Sequence, residues 1–442
     1  MELDLPLDQP VDESDWVRVV EYCVNDVVAT EAVLEDRWED FVARQILAEL
    51  SGLTVNDTTQ RHTAQIIFGK EKNPQQYFVY TNLAEEFDGY SFDSGVSSYR
   101  GECPGEGGYV YSEPGCYSDV ALLDVASMHP TSIEILNLFG PFTPNFSDLK
   151  NARMAIKRGD FASAREMLDG RLAPYLENEE GAEKLAYALK IVINIVYGLT
   201  SAKFPNPFMD PRNKDNIVAK RGALFMIDLK HALQDRGQPV IHIKTDSVKL
   251  PGVIQEIVDF VFEFGKKYGY DFEHEITYDK LCLVNDAVYI ALKTYQEAGG
   301  CRRVWTAVGS QFQHPYVFKN LFSGEPLTFD DYCESRSVIQ GTMYLEKEDE
   351  GSEDRETLDH RRMRHLGRTG RFVPVLQGGG TLYRVKDDKY YAVTATKGHQ
   401  WIDAEIAKGM SDLQIDMSYF EKLRDEAIET IEKFVPYSEL VS

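Results

Sequence analysis

Two aspartates and a lysine-bearing helix, far apart along the chain, constrain the fold of this sequence more than any other feature. Asp124 ends the apolar, strand-like run Val120-Ala-Leu-Leu, and Asp246 stands in the tight turn Lys244-Thr-Asp-Ser. Between them, Lys190 lies in an apolar segment with helical spacing. If these segments share one site, the fold must bring a strand end, a helix face and a hairpin turn together.

The two aspartates have ordinary explanations when each is taken alone. An aspartate after a strand commonly caps the next helix, here one that begins after Pro130, and Thr-Asp-Ser is a natural turn sequence. As a pair they predict a different use, because neighbouring carboxylates repel one another unless cations lie between them, and Mg²⁺ prefers such oxygen ligands. The backbone carbonyl of Val125, directly after Asp124, would supply a further oxygen.

The helix between the aspartates presents a polar face. Lys190, Asn194 and Tyr197 follow one another at i, i+4 and i+7, so they project from the same side. Arg153 and Lys157 are four residues apart on the preceding helix of a predicted helical hairpin. Cations on facing helices would clamp a triphosphate, with Lys190 as a point charge and a proton donor to the leaving group. The alternative is a solvated face, which the apolar neighbours of Lys190 argue against.

Periodicity and turn residues predict the main elements. One or two long helices are expected between Trp16 and Leu53, and an amphipathic helix near residues 215–234. Strands are expected at Val240–Ile243 and Ser247–Leu250, with Asp246 in the turn that joins them. The chain is long enough for two or three domains with sizeable cores.

Composition excludes some classes of protein. No run of about 18 apolar residues occurs, and the acidic start of the chain lacks the pattern of a secretory signal, so cytoplasmic residence is expected. The six cysteines show no zinc-ligand spacing and are expected to be free thiols.

The net charge of −25 argues, at face value, against a nucleic-acid partner, since phosphate backbones usually meet a positive face. A whole-chain sum says little about a local groove, however, and a basic channel on an acidic surface is expected. An acidic run from Glu346 to Asp359 precedes a basic cluster that is either a solvated loop or a grip on a phosphate backbone. The cluster consists of Arg361, Arg362, Arg364, Arg368 and Arg371.

The three segments resemble, in order, motifs of the family B DNA polymerases. Asp124-Val-Ala-Ser-Met-His-Pro is similar to motif A, usually Asp-x-x-Ser-Leu-Tyr-Pro-Ser. The segment from Lys190 to Gly198 matches motif B, Lys-x-x-x-Asn-Ser-x-Tyr-Gly, in spacing. Thr245-Asp-Ser matches the end of motif C, Asp-Thr-Asp-Ser, and Lys293-Thr-Tyr resembles the later Lys-x-Tyr motif that touches the primer–template duplex.

This resemblance implies an α+β, right-hand polymerase fold. Its palm would be an antiparallel sheet with helices, its fingers a helical hairpin, and a remnant of a 3′–5′ exonuclease domain would precede them. The implied boundaries are 1–70 for the remnant, 71–146 for a linker and the first part of the palm, 147–201 for the fingers, 202–298 for the second part of the palm and 299–442 for the thumb.

The implied activity is template-directed DNA synthesis, in which two Mg²⁺ ions, or Mn²⁺ in their place, assist transfer of a nucleotide from a dNTP to a primer 3′-hydroxyl. Primer–template DNA and dNTPs are the implied partners. Asp124, Asp246 and Lys190 would be catalytic, and Asp124, Val125 and Asp246 would hold the metal. The implied nucleotide-binding residues are Ser127, Met128, His129, Arg153, Lys157, Lys190, Asn194 and Tyr197, and the implied DNA-binding residues are Gly198, Lys293 and Tyr295.

The start of the chain carries a weaker resemblance. Tyr22-Cys-Val-Asn-Asp26 is similar to the third exonuclease motif, Tyr-x-x-x-Asp, of the same family. The two earlier exonuclease motifs would lie upstream of Met1, and later segments resemble bacteriophage enzymes. The expectation is therefore the C-terminal subunit of a split phage replicative polymerase, located in the host cytoplasm and partnered by a separate subunit that bears the exonuclease.

Two residues depart from the family pattern. Lys244 stands where the first aspartate of motif C is usual, and His129 stands where a tyrosine normally blocks the ribose 2′-hydroxyl. Because imidazole is smaller, weaker discrimination against ribonucleotides is expected. The change at Lys244 keeps open a second hypothesis, a non-catalytic processivity or structural subunit of a replication complex, although Asp124 and Asp246 are both retained. A family A polymerase would carry a His-Asp-Glu type of third motif, which this sequence lacks.

Overall fold

The chain divides into two compact units, in a computed structural model that describes residues 10–297, 300–346, 363–386 and 389–442. We call Leu34–Asp286 the central unit, and Met1–Val33 together with Ala287–Ser442 the terminal unit. Arg361, Arg362 and the acidic run beyond Glu346 lie outside the described residues. The palm, fingers and thumb boundaries given above stay predictions.

Helices and antiparallel strands alternate through the described chain, which confirms the α+β class. The helices are α1 (Trp16–Asp36), α2 (Trp38–Ser51), α3 (Thr59–Phe68), α4 (Met128–Ile135), α5 (Thr143–Lys157), α6 (Phe161–Glu166), α7 (Glu179–Thr200), α8 (Ile217–Gln234), α9 (Gln255–Lys267), α10 (Ser310–Gln313), α11 (Pro315–Phe318), α12 (Ala404–Lys408), α13 (Met417–Glu432) and α14 (Tyr437–Val441). The strands are β1 (Ser91–Asp93), β2 (Val96–Ser98), β3 (Val110–Ser112), β4 (Gly115–Val125), β5 (His242–Lys244), β6 (Ser247–Pro251), β7 (Phe272–Asn285), β8 (Val288–Glu297), β9 (Gly300–Val308), β10 (Glu334–Ser337), β11 (Thr342–Glu346), β12 (Met363–Gly367), β13 (Thr369–Val375), β14 (Leu382–Lys386), β15 (Lys389–Ala392) and β16 (Gln400–Asp403).

The central unit is built on antiparallel strands in the order β3-β5-β6-β4-β7. Side chains alternate between the two faces of a strand, so Leu123, Val125 and Val248 point to one side, where they are buried in the same hydrophobic cluster as helix α8. Asp124 therefore points to the opposite face. The burial of Leu123 and Val125 on one face thus determines the face on which Asp124 lies.

A pair of helices packs beside this sheet. Helix α7 begins at an N-cap, Asn178, whose side chain accepts a hydrogen bond from the Gly181 N–H at 2.8 Å. Its Leu185, Leu189 and Val192 are fully buried, and the helix packs against α5. The residues left on the outer side of α7 include Lys190 and Asn194, which are exposed.

The terminal unit holds a β8–β9 hairpin, a three-stranded sheet in the order β10-β13-β16 and a four-stranded sheet in the order β12-β11-β14-β15. Buried Glu334 at the start of β10 pairs with His314 at 2.6 Å and with Arg336 at 3.2 Å. These partners hold the pKa of the Glu334 carboxyl below its usual range against the effect of burial. In both units, no helix in the described ranges has the length and apolar character needed to cross a membrane.

Candidate active site

Asp124 lies near the C-terminal end of β4, a strand that has a neighbouring strand on each side in the central sheet. Asp124 pairs with Ser247 of β6 on one side and with Glu273 of β7 on the other. Its neighbours in the strand, Leu123 and Val125, are 0% and 1% exposed. The apolar strand therefore anchors the backbone on both sides of Asp124 and leaves its half-buried carboxylate on the polar face.

Asp246 is held by a strained two-residue turn between β5 and β6. Thr245 has φ of +56°, a conformation that β-branched residues rarely adopt, and the Asp246 N–H donates to the Lys244 carbonyl at 2.8 Å. The Thr245 N–H donates to the Tyr109 carbonyl at 2.9 Å. A Cβ at Gly108 would come within 3.0 Å of Thr245 Cγ2, so the missing side chain makes room for the turn. A strained backbone conformation of this kind persists only when the surrounding structure, here the sheet, holds it in place.

One backbone hydrogen bond joins Asp246 to the residue that follows Asp124. The Val125 N–H donates to the Asp246 carbonyl at 2.9 Å. In a regular antiparallel pair, Asp246 would return this bond to the Val125 carbonyl, but its N–H is used by Lys244 instead. The Val125 carbonyl therefore lacks that partner, and Asp124, Val125 and Asp246 lie at the same end of the sheet.

The electrostatics of the site reflect crowding of negative charge. Burial, and then the nearby charges of Asp246 and Glu275, raise the pKa of Asp124 to about 7. The pKa of Asp246 is raised as well, first by burial and then by Glu275. No hydrogen bond or ion pair to another described side chain satisfies either carboxylate. Both groups therefore favour the approach of a cation.

Glu275 is a third acidic residue at this site, and the sequence reasoning missed it. Leu122 pairs with Ile276 and Leu123 with His274, so Glu275 is an extra residue in β7, a β-bulge next to Asp124. Bulges redirect side chains and occur often beside active sites. The sequence does show two acidic residues close together, Glu273 and Glu275, but a bulge depends on pairing with β4 and cannot be seen in one strand alone.

The donor set suits a hard divalent cation. Two carboxylates and a backbone carbonyl are oxygen ligands, which Mg²⁺ and Mn²⁺ prefer. Within the described ranges, no three His, Cys, Asp or Glu side chains converge closely enough to hold a metal by themselves. Mg²⁺ usually keeps several waters and binds few carboxylates together with substrate phosphates, so this donor set fits Mg²⁺ bound with a nucleotide.

The segment after Asp124 meets helix α7 through an aromatic stack. The rings of His129 and Tyr197 lie 4.0 Å apart at an interplanar angle of 14°. Burial lowers the pKa of His129 to about 4, so the imidazole is neutral at pH 7. Its Nδ1 atom is buried and has no hydrogen-bond partner among the residues that the structure describes. The stack brings the first and second motif segments together and leaves one buried polar atom for a ligand.

Ser127 and Met128, the two residues before His129, have different surroundings. Ser127 adopts a left-handed conformation, with φ of +58°, and its hydroxyl lies 3.9 Å from Met154 Sδ on α5. Met128 is 2% exposed and packs against Gly222 of α8, where an added Cβ would lie 2.5 Å from its sulfur. The Met128 side chain thus supports the turn, and its predicted contact with a nucleotide would have to involve backbone atoms.

Cations line the facing helices α5 and α7. Lys157 and Lys190 are exposed, and Arg153 is half-buried. Burial lowers the pKa of the Arg153 guanidinium, yet its ordinary value is so high that the group stays charged. In the described part of the chain, none of these three cations forms an ion pair or a hydrogen bond. They are therefore available to an anionic ligand.

The remaining predicted residues fall on other elements. Gly198 is exposed near the end of α7, and a Cβ there would meet nothing within 4 Å, so packing gives no reason for glycine. Lys293 and Tyr295 lie on β8 of the terminal unit, where the Arg302 guanidinium sits 5.0 Å from the Tyr295 ring centre. Tyr22 and Asp26 lie one turn apart on α1. The exonuclease remnant, the split gene and the partner subunit stay predictions.

The raised pKa of Asp124 predicts a pH-dependent stability in the presence of a chelator. Between its ordinary value of 3.8 and about 7, the folded protein binds a proton that the unfolded chain does not. The free energy of unfolding therefore falls as pH rises through this window. In thermal unfolding experiments between about pH 5 and 8, the melting temperature of Asp124→Asn relative to that of the wild type should rise as the pH increases. A difference that does not change with pH would contradict the assignment.

Comparisons with known proteins give a structural likeness but no sequence match. No family model matches this chain, and no curated protein matches it. The chain is similar to the solved structure of the family B DNA polymerase from the hyperthermophilic archaeon Pyrobaculum calidifontis, at 14% sequence identity and a TM-score of 0.46. The match covers 96% of this chain and 57% of that one, so the chain spans a little over half the length of that polymerase. This degree of similarity assigns no family.

Proposed function

We propose that this chain is a template-directed DNA polymerase that joins a dNTP to a primer 3′-hydroxyl at Asp124 and Asp246. The observation that carries the proposal is the hydrogen bond from the Val125 N–H to the Asp246 carbonyl, which ties the β5–β6 turn to the end of β4, where neither aspartate carboxylate pairs with another described side chain. The ordered resemblance of the sequence segments to the polymerase motifs supports it. The stack of His129 on Tyr197 supports it further, because it joins the first of these segments to the second.

Asp124, Asp246 and the Val125 carbonyl would hold the divalent cations, Mg²⁺ or Mn²⁺. When bound, such ions make the primer hydroxyl a better nucleophile and stabilise charge on the phosphates. The protein contributes rigid placement of the ligands. Because no other side chain in the described ranges pairs with these carboxylates, little rearrangement is required before they bind a cation.

The cations on α5 and α7 would bind the triphosphate. Lys190, Arg153 and Lys157 have no anionic partner in the described residues, so the phosphate oxygens would not have to displace one. Lys190 would also donate a proton to the departing pyrophosphate. Placement on two packed helices holds the charges apart and gives the phosphates a defined path between them.

The aromatic stack would support the nascent base pair. Asn194 and Tyr197 lie on the same side of α7 as Lys190, so a nucleotide whose phosphates contact Lys190 would place its base and sugar near His129. Gly198 continues this face, and the absence of a packing reason for glycine favours close approach by DNA. Lys293 and Tyr295 would contact the duplex backbone.

Primer extension by the purified chain tests the proposal. With Mg²⁺, a primed template and dNTPs, the expected result is addition of the nucleotide complementary to the template, with none when the metal is chelated. Parallel reactions with a mismatched dNTP or an unprimed template are the controls. Tight DNA binding without any incorporation would overturn the proposal and favour the non-catalytic subunit that Lys244 keeps open.

Replacement of His129 by tyrosine is expected to increase sugar discrimination. Tyrosine adds bulk where the imidazole stacks on Tyr197, so the preference for dNTP over the matching rNTP should rise about tenfold. Comparison of kcat/KM for dCTP and CTP on one template measures the effect. His129→Phe adds similar bulk without the hydroxyl and should raise the ratio too. An unchanged ratio in both variants would show that residue 129 does not face the sugar.

A further inference from the structure

A buried lysine lies close to Asp124 in the central sheet. Lys249 of β6 is 3% exposed, and its Nζ donates to Nδ1 of His242 at 3.0 Å. His242 is fully buried and its Nε2 donates in turn to the Asp286 carbonyl at 3.1 Å. Burial is the main reason that the pKa of His242 falls to about 4, which makes it a neutral acceptor for the lysine. Isolated burial of an ammonium group is costly, so its retention needs an explanation.

Strand register places Lys249 on the face of the sheet that carries Asp124. Lys249 pairs with Leu122 on β4, and Ser247 pairs with Asp124 two residues further along. Since residues two apart in a strand share a face, Lys249 and Asp124 are diagonal neighbours, a separation of roughly 7–8 Å between backbone positions. On β5, His242 pairs with Lys249 in the same row. Pairing with β4 and β5 thus fixes Lys249 on the Asp124 side of the sheet.

Three charged groups act on the ammonium group of Lys249. Asp124 and Glu275 favour its charged form, while Lys244 opposes it. Burial outweighs these charges and lowers the pKa of Lys249 to about 8, which still leaves most of the amine protonated at pH 7. In return, Lys249 counteracts the rise in the pKa of Asp124. The interaction between Lys249 and Asp124 is therefore mutual.

We propose that Lys249 is a positioning residue, a built-in counter-charge that keeps Asp124, Asp246 and Glu275 close together while no divalent cation is bound. This inference rests on the proposed metal site. It adds a reason why the carboxylates keep their arrangement between rounds of synthesis, when no metal is bound. The internal cation offsets part of the carboxylate repulsion, so the sheet end need not open when metal is absent. It also weakens binding of free metal, which makes the protein depend on nucleotide phosphates to complete the ligand set.

Mn²⁺ titration of the apoprotein, followed by electron paramagnetic resonance of the free ion, tests this inference without any measure of activity. Removal of a positive charge near the carboxylates should tighten Mn²⁺ binding about tenfold in both Lys249→Met and Lys249→Gln. Methionine is apolar and glutamine is polar, but both are uncharged, so an effect that the two variants share would come from loss of the positive charge. The rise in melting temperature on adding Mn²⁺ should also be larger for both variants than for the wild type.

Lys220→Met is the matched control. Lys220 is equally buried, at 3% exposed, but its Nζ donates to the Pro104 carbonyl at 2.9 Å and does not face the carboxylates. Its replacement should leave Mn²⁺ affinity unchanged. If Lys249 merely supported the fold, both Lys249 variants would bind Mn²⁺ equally or more weakly than the wild type, and the inference would be wrong.

Two further variants separate this inference from the proposed function. Asp124→Asn and Asp246→Asn should each weaken Mn²⁺ binding in the same titration. If they do so while the Lys249 variants match the wild type, only the counter-charge role fails. If neither aspartate variant changes Mn²⁺ affinity, the metal site itself is misplaced and the proposed function loses its basis.

Discussion

Asp124→Asn and Asp246→Asn are each expected to reduce primer extension about a thousandfold, while the variant proteins remain folded. Asparagine keeps the shape of the side chain but removes the negative charge that would hold a divalent cation. Metal assistance of this kind contributes several kcal/mol to transition-state stabilisation, and each 1.36 kcal/mol corresponds to a factor of about ten in rate. Single-turnover extension of a labelled primer at saturating dNTP measures the loss.

Folding of these variants follows from the electrostatics of the site. Burial and neighbouring charge raise the pKa of both carboxyls, which means that the ionised groups destabilise the metal-free fold. Asparagine relieves that repulsion, so melting temperatures in chelator should not fall. Asp235→Asn, at an exposed position after α8, is the matched control and should retain full activity. Near wild-type extension by either active-site variant would show that the carboxylates do not hold the catalytic cations.

Lys190→Ala is expected to reduce the efficiency of dNTP incorporation by one to two orders of magnitude and to leave duplex affinity nearly unchanged. A charge-assisted hydrogen bond to phosphate is worth roughly 1.5–3 kcal/mol, which corresponds to about 10- to 100-fold. Lys190 is exposed and has no ion-pair partner in the described chain, so its loss should not disturb α7. Rates across a range of dNTP concentrations give the first quantity, and fluorescence anisotropy with primed template gives the second.

Lys184→Ala provides the control on the same helix. Lys184 is exposed and pairs with Glu180 on the preceding turn, so its replacement removes the same charge from another part of α7. Incorporation should then stay within about twofold of the wild type, since surface pairs of this kind contribute little. Equal losses of incorporation and of duplex affinity in Lys190→Ala would indicate a general DNA contact and would contradict the triphosphate role.

The main elements of the central unit could be predicted from local sequence. Apolar residues at helical spacing predicted a helix through Tyr197, and the structure has α7 at Glu179–Thr200. The turn at Thr245-Asp246 was predicted between two short strands, and β5 and β6 flank it. Both features depend on residues close together in the chain, where periodicity and turn chemistry act directly.

Helix α8 shows where periodicity misleads. An amphipathic helix was expected near residues 215–234, but Ile217 to Lys230 are buried on every side. Its charged residues are paired inside the protein, among them Arg221 with Glu86 at 2.6 Å and Lys230 with Glu102 at 2.6 Å. A charged side chain does not by itself indicate solvent exposure, because a buried charge is also stable when a partner and hydrogen bonds compensate it. Those partners lie more than a hundred residues away in sequence.

The sequence by itself determined which residue types are available for chemistry, namely a strand-ending Asp124, a turn Asp246 and the cationic face of α7. Only the tertiary structure decided that Asp246 binds back to Val125, that a bulge brings Glu275 to the same place and that Lys249 lies close to Asp124. The physical reason is that register, bulges and burial arise from pairing between strands distant in sequence. The sequence of a single strand shows which of its residues share a face, but it does not show which charges the neighbouring strands will place beside them.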